Sequence, residues 1–132
     1  TCAAGWTGEY CVTAYVGGIR FLHPIAVGEL VDVRAQVIHT GRTSLHVAVD
    51  IYAGDPKTTT RHRSCHCVMV FVSIGATGKP IPVPKWTPSS AIDRALEEHA
   101  LRLDELRKSL DVEIEERLRW LDEQPAAMVT HE

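Results

Sequence analysis

The chain has no run of about 18 apolar residues, the length a membrane-spanning helix requires. Its start, Thr1 to Gly8, has neither the basic segment nor the apolar stretch of a secretory leader. A soluble, cytoplasmic protein is therefore the expectation. Cysteine is scarce: Cys2, Cys11, Cys65 and Cys67 are the only four. Three of them lie in apolar strand-like or helix-end sequence, where a free cysteine packs as a small hydrophobe, so no disulfide framework is expected. There is no Cys-x-x-Cys pair to suggest zinc and no concentrated basic face to suggest nucleic acid.

What is present suffices for one core. The 132 residues are 45% hydrophobic, enough for one domain with an appended element. The net charge of −3 conceals an asymmetry. Residues 1–89 carry eight Lys/Arg against five Asp/Glu, and residues 90–132 carry six against twelve. A mildly basic body with an acidic tail suits a small anionic ligand better than DNA.

Between Tyr10 and Ile74 the apolar residues alternate with period two, which predicts four strands. The first runs from about Tyr10 to Phe21, loosened by Gly17 and Gly18, where a bulge or a widened acyl path is expected. In the second, Val31, Val33, Ala35 and Val37 oppose Asp32, Arg34 and Gln36. In the third, Leu45, Val47, Val49 and Ile51 oppose His46, Asp50 and Tyr52. The fourth, about Ser64 to Ile74, is apolar on both faces and is expected to be buried on both. The connections at 23–29, 40–43 and 54–63 are short enough for antiparallel neighbours. Beyond Gly78, Pro80, Pro82, Pro84 and Pro88 impose an extended segment around Trp86. A long amphipathic helix follows, with Ser90 and Asp93 as a capping pair and apolar residues from Ile92 to Leu121, unbroken or interrupted near 109–111. Lying beyond the proline-rich linker, it is not expected to cover the sheet. Its leucine stripe suits oligomer contacts or intramolecular packing equally. Thr1 to Trp6 reads as the end of a small-residue helix capped by Gly5, whose body is expected N-terminal to Thr1.

Phe21, Pro24, Ile25, Gly28 and Glu29 match the strand and turn of hotdog-fold acyl-CoA hydrolases in order and spacing. Gly41-Arg42-Thr43-Ser44 resembles the hairpin of that family, and Cys67 to Val72 its closing central strand. The chain thus resembles a hotdog acyl-CoA thioesterase over about residues 1–84. The resemblance implies an α+β hotdog fold, an antiparallel sheet wrapped on a central helix that is largely missing here. It divides the chain into an N-terminally incomplete hotdog acyl-CoA hydrolase domain, 1–84, and a linker with a C-terminal helical extension, 85–132. It also implies hydrolysis of acyl-CoA to free fatty acid and coenzyme A, sites at subunit interfaces, and a homo-oligomer built as a dimer or trimer of dimers. No cofactor is implied beyond the coenzyme A of substrate and product.

Thioester hydrolysis needs a carboxylate and backbone N–H groups for the oxyanion. The resemblance puts that acid before Thr1, and Gly17 stands where the family commonly has another. Asp32 and Asp50 are expected to be solvent-facing strand residues. Arg42 is the leading coenzyme A contact, because a guanidinium on a tight turn grips phosphate bidentately; the alternative is an ordinary solvated tip. By resemblance Gly41, Thr43 and Ser44 line the same turn. Lys57, Arg61, His62 and Arg63 form a basic loop that suits the 3′-phosphate of coenzyme A or is simply solvated. No metal is expected, since alternation sets Cys65 and Cys67 opposite His66. His23, His39 and His46 have no nucleophile or acidic orienter at motif spacing, so no Ser-His-Asp triad and no dehydratase pair is expected. The rival class is a non-catalytic hotdog module that binds acyl-CoA or only assembles a complex.

Overall fold

A computed structural model of the chain describes residues 2–125. The elements are α1 (Cys2–Thr7), β1 (Tyr10–Phe21), β2 (Leu30–Thr40), β3 (Ser44–Gly54), β4 (His62–Ile74) and α2 (Ala91–Asp122). The four strands form one antiparallel sheet in the order β1-β4-β3-β2. Period-two alternation fixes the faces, and the register confirms them. Val33, Ile51 and Cys65 align across three strands, as do Val37, Val47 and Met69. This inner face carries α1, where Ala3 closes over Leu45 and Val47, all three at most 3% exposed. The outer face carries Ala48, Val68 and Val70, also buried.

The expected adjacency of the first two strands does not hold: β1 and β2 lie at opposite edges. The apolar β4 takes the centre, where both its edges are hydrogen-bonded, and β1 pairs on its far side. The connecting loop crosses the end of the sheet, roughly 14 Å over three strand spacings. Leu22 and His23 both donate backbone N–H groups to the Ser64 carbonyl, anchoring it there. A tight turn completes the crossing. Glu29 accepts the Ala26 N–H at 2.6 Å on its carboxylate, and Gly28 adopts φ 95°.

Gly5 is not the cap of α1. It lies inside the helix, and Gly8, at φ 70°, ends it by donating to the Ala4 carbonyl at 2.8 Å. The glycine pair in β1 forms a bulge: Gly18 has φ 58°, and the register slips between Gly17 and Arg20.

Two compact units are present, one ending at Ala100 and the other beginning at Leu101. In the first, the proline-rich segment returns to the sheet. Val83 donates to the Arg42 carbonyl, Trp86 to Thr40 Oγ1, and Trp6 Nε1 to the Pro84 carbonyl. Contrary to expectation, the opening turns of α2 also lie on the sheet, against its outer face. Ala100 is fully buried, and Glu97 and His99 bond to strand histidines. In the second unit α2 runs unbroken to Asp122, with Leu106, Leu110, Ile114, Leu118 and Leu121 exposed along it. No described helix is long and apolar enough to cross a membrane.

Candidate functional site

The β2–β3 turn is built by its backbone. Gly41 donates to the Ser44 carbonyl at 2.9 Å, Ser73 donates to the Thr43 carbonyl at 2.9 Å, and Val83 holds Arg42 from behind. Three segments thus fix four residues, and the Arg42 side chain is left exposed with no hydrogen bond or ion pair among the described residues. A fixed turn presenting an uncommitted guanidinium can grip a phosphate without first breaking another contact.

Arg61 and Arg63 lie elsewhere. The 11-residue β3 separates their loop from the Arg42 turn, roughly 33 Å along the strand. Arg61 Nη1 reaches the carbonyls of Asp55, Thr58 and Thr60 and so braces its own loop. Arg63 pairs through Nε with Asp50 at 3.1 Å and donates through Nη2 to the Tyr52 hydroxyl at 2.8 Å. Within one chain, then, Gly41, Arg42, Thr43 and Ser44 come together, and Arg61 and Arg63 do not join them.

Asp50 is not the solvent-facing residue its strand position suggested. Its side chain is 14% exposed and accepts from His66 Nδ1 at 2.8 Å as well as from Arg63. His66 Nε2 in turn meets His99 Nε2 at 3.1 Å. His39, which has no acidic orienter at motif spacing, meets one from 58 residues away: Glu97 Oε2 lies 2.9 Å from its Nδ1. Desolvation holds the His99 imidazole below the ordinary histidine range, the facing His66 adds to this, and Asp50 opposes it. Sequence spacing carries no trace of this cluster, because its partners are 16, 33 and 58 residues apart. Asp32 does remain on the surface, paired with Arg34 at 3.1 Å.

The inner face is apolar. A hollow of about 440 Å³ at one end is lined by Phe21, Leu22, Ile25, Ile51 and Cys65, with His23 at its wall. Another, of about 210 Å³, lies among Val33, Val47, Val49, Met69 and Phe71 beside α1. Burial pushes the Cys67 thiol up, with Cys65 and Asp50 adding to the shift, which disfavours its thiolate. No carboxylate lines either hollow. Among the described residues no three His, Cys, Asp or Glu side chains gather to hold a metal ion.

The model of the thioesterase superfamily matches residues 1–60. The acyl-CoA hydrolase of Bacillus cereus superposes with a TM-score of 0.80 at 25% identity, over 98% of this chain and 74% of its own. The chain has the hotdog fold, and over residues 1–60 it is similar to the thioesterase superfamily. An acyl-CoA hydrolase of Staphylococcus aureus, solved with butyryl coenzyme A, coenzyme A and coenzyme A disulfide, superposes at TM-score 0.80 and 26% identity, over 92% of this chain and 74% of that one. Protein VdlD of Helicobacter pylori is 34% identical over 108 residues, 80% of this chain and 60% of that protein. Acyl-CoA thioester hydrolase YciA of Salmonella typhimurium is 31% identical over 77 residues, 55% of this chain and 57% of its own. The chain therefore spans about 60% of the length of these curated relatives.

Proposed function

We propose that the protein is an acyl-CoA thioesterase, hydrolysing acyl-CoA to free fatty acid and coenzyme A. The observation that carries this reading is the likeness to the coenzyme A-bound Staphylococcus hydrolase across 92% of the chain. The braced Arg42 turn and the apolar hollows support it chemically. A guanidinium suits the coenzyme A phosphates, and an apolar wall suits an acyl chain. Coenzyme A enters as part of the substrate, and no separate cofactor takes part.

Hydrolysis requires a carboxylate to activate water or attack the thioester carbonyl, with N–H donors for the oxyanion. Asp32 and Asp50 face away from the hollows and pair elsewhere, so neither is assigned that role. Arg61 and Arg63 are too far from Arg42 to share one phosphate cluster within a chain. Their proposed coenzyme A contacts are therefore made to substrate held by a neighbouring copy. Hexameric thioesterases of similar structure support a homo-oligomer, which we propose to be a dimer or a trimer of dimers. The four free cysteines fit a reducing, cytoplasmic setting.

The absence of a carboxylate from both hollows favours one alternative, a hotdog module that binds acyl-CoA without cleaving it. A thiol-release assay of the full-length protein over acyl-CoA chain lengths separates the two. Release of coenzyme A supports the thioesterase, and binding without release for every chain length establishes the module.

A further inference from the structure

In the opening turns of α2, beside the outer sheet face, Ala100 is fully buried and Leu96 half-buried, and two polar clasps flank this ridge. At 100° per residue, Glu97 and His99 leave the helix on opposite sides of it. Glu97 reaches His39 on β2, His99 reaches His66 on β4, and β3 lies between. We propose that the His66–His99 contact is a proton-counting latch, closed while the two imidazoles share one proton and opened by a second, which frees residues 91–100 from the sheet.

The count follows from the geometry. Asp50 accepts from His66 Nδ1 at 2.8 Å, so that nitrogen carries a hydrogen. The two Nε2 atoms at 3.1 Å then hold one hydrogen between them. If it sits on His66, that ring is an imidazolium beside Asp50 and His99 accepts with a lone pair. If it sits on His99, His66 is neutral and accepts. A further proton, added to His99 Nε2 when His66 is the imidazolium, makes both rings cationic and points two N–H groups at each other, so a hydrogen bond becomes a repulsion.

The surroundings do not rescue the doubly charged pair. From β4, Arg63 faces the cluster and already takes part of the Asp50 charge. From β3, Asp50 is the lone carboxylate, and His46 is buried with its ring edge-on to His39 at 5.2 Å. From β2, His39 faces Glu97. On α2 itself, Glu98 and Arg102 flank His99 and are exposed. The Glu97 clasp pairs an imidazole with a carboxylate, which accepts only, so it sets no two N–H groups against each other. Acid thus releases the His99 side while the Glu97 side holds. The depressed affinity of His99 for its proton agrees in sign. Stability from a neutral His99 is complete above the ordinary histidine range and is lost as pH falls through the lower folded value.

Hydrogen exchange of the full-length protein between pH 7.5 and 5.0, corrected for intrinsic rates, tests this. Protection of 91–100 is expected to fall by up to about tenfold per pH unit, the slope for one proton taken up on opening, while that of 45–49 holds. His99→Gln, which keeps a hydrogen-bonding group but cannot charge, is expected to abolish the slope, and His39→Gln to lower protection at every pH while leaving the slope. A flat profile in the wild type, a slope that persists in His99→Gln, or a parallel loss at 45–49 overturns the latch. If His99→Gln does not fold, imidazole ¹⁵N titration of the wild type decides. A second protonation coincident with loss of α2 protection supports the latch, and two independent single titrations overturn it.

Discussion

Val83 donates its backbone N–H to the carbonyl of Arg42 at 2.9 Å, so the proline-rich segment braces the hairpin whose side chain is proposed to meet coenzyme A. Proline cannot donate, and the alternation of Pro80, Pro82 and Pro84 leaves Ile81 and Val83 as the donors. Both are used, Ile81 toward Ser73 and Val83 toward Arg42. The linker is therefore a third strand-like support for the turn.

Arg42→Ala removes an exposed guanidinium that makes no hydrogen bond or ion pair among the described residues. Its thermal midpoint is expected to match the wild type. The loss of one charge-assisted phosphate contact, about 1.5–3 kcal/mol, weakens coenzyme A binding on the order of ten- to a hundredfold. Calorimetric titration of coenzyme A into the full-length protein measures this. Unchanged affinity would remove Arg42 from the site.

Two turn glycines are expected to differ sharply in their tolerance of alanine. A Cβ on Gly54 would run into the backbone carbonyl of Thr60, which cannot swing aside without moving the loop that Arg61 braces. A Cβ on Gly41 would meet only Ser44 Oγ, at 2.7 Å, and that side chain can rotate. Gly54→Ala is expected to cost about 1–3 kcal/mol, and Gly41→Ala about 0.5 kcal/mol or less. Urea denaturation of both variants checks the contrast, and equal losses would contradict it.

The difference between these glycines lies outside what local sequence can tell, and so does the fate of several other residues. The faces of the strands are legible because alternation in β2, β3 and β4 needs only neighbours two positions away, and Val33, Ile51 and Cys65 fall into line as expected. The turn at 41–44 is legible for the same reason. Strand order is not, because a 22–29 loop of this length fits either a hairpin or a crossing; the two apolar faces of β4 decide it. Gly5 and Gly8 both suit a helix end, and the choice rests on which of them adopts positive φ. Arg63 looks available for a ligand until the register brings Asp50 and Tyr52 beside it. The clasp of Glu97 and His99 depends on α2 returning to the sheet across a linker whose prolines point to an extended path, not to its destination.

Leu45 is fully buried beneath Ala3, one residue beyond the candidate turn. Leu45→Ala is expected to destabilise the protein by about 2–5 kcal/mol, because α1 and the sheet close around the lost volume only in part. Coenzyme A affinity of the folded fraction should fall little if the turn is held by Ser73 and Val83 as described. Urea denaturation with calorimetric titration separates the two effects. A large affinity loss at full folding would show that the core, and not the backbone brace, positions Arg42.

The start of α2 offers a pH prediction independent of the histidines. Ser90 Oγ accepts the Asp93 N–H at 3.1 Å, and the Asp93 carboxylate accepts both the N–H and the hydroxyl of Ser89 at 3.0 Å. These bonds to Ser89, backbone first and then side chain, hold the exposed Asp93 carboxyl below the ordinary aspartate range. A carboxylate with a lowered folded pKa stabilises above its unfolded pKa, and that contribution is lost as pH falls through the folded value. Asp93 should therefore matter at neutral pH and progressively less as pH falls below the unperturbed aspartate value of about 3.9. Ser90→Ala is expected to remove about 1 kcal/mol by loss of the N-cap at any pH. Asp93→Asn is expected to remove helix-start stability only where the wild type is ionised, so the two stability curves should converge in acid. Urea midpoints from pH 7 down to pH 3 test this, and a constant gap between wild type and Asp93→Asn would mean that Asp93 caps through its shape and not its charge.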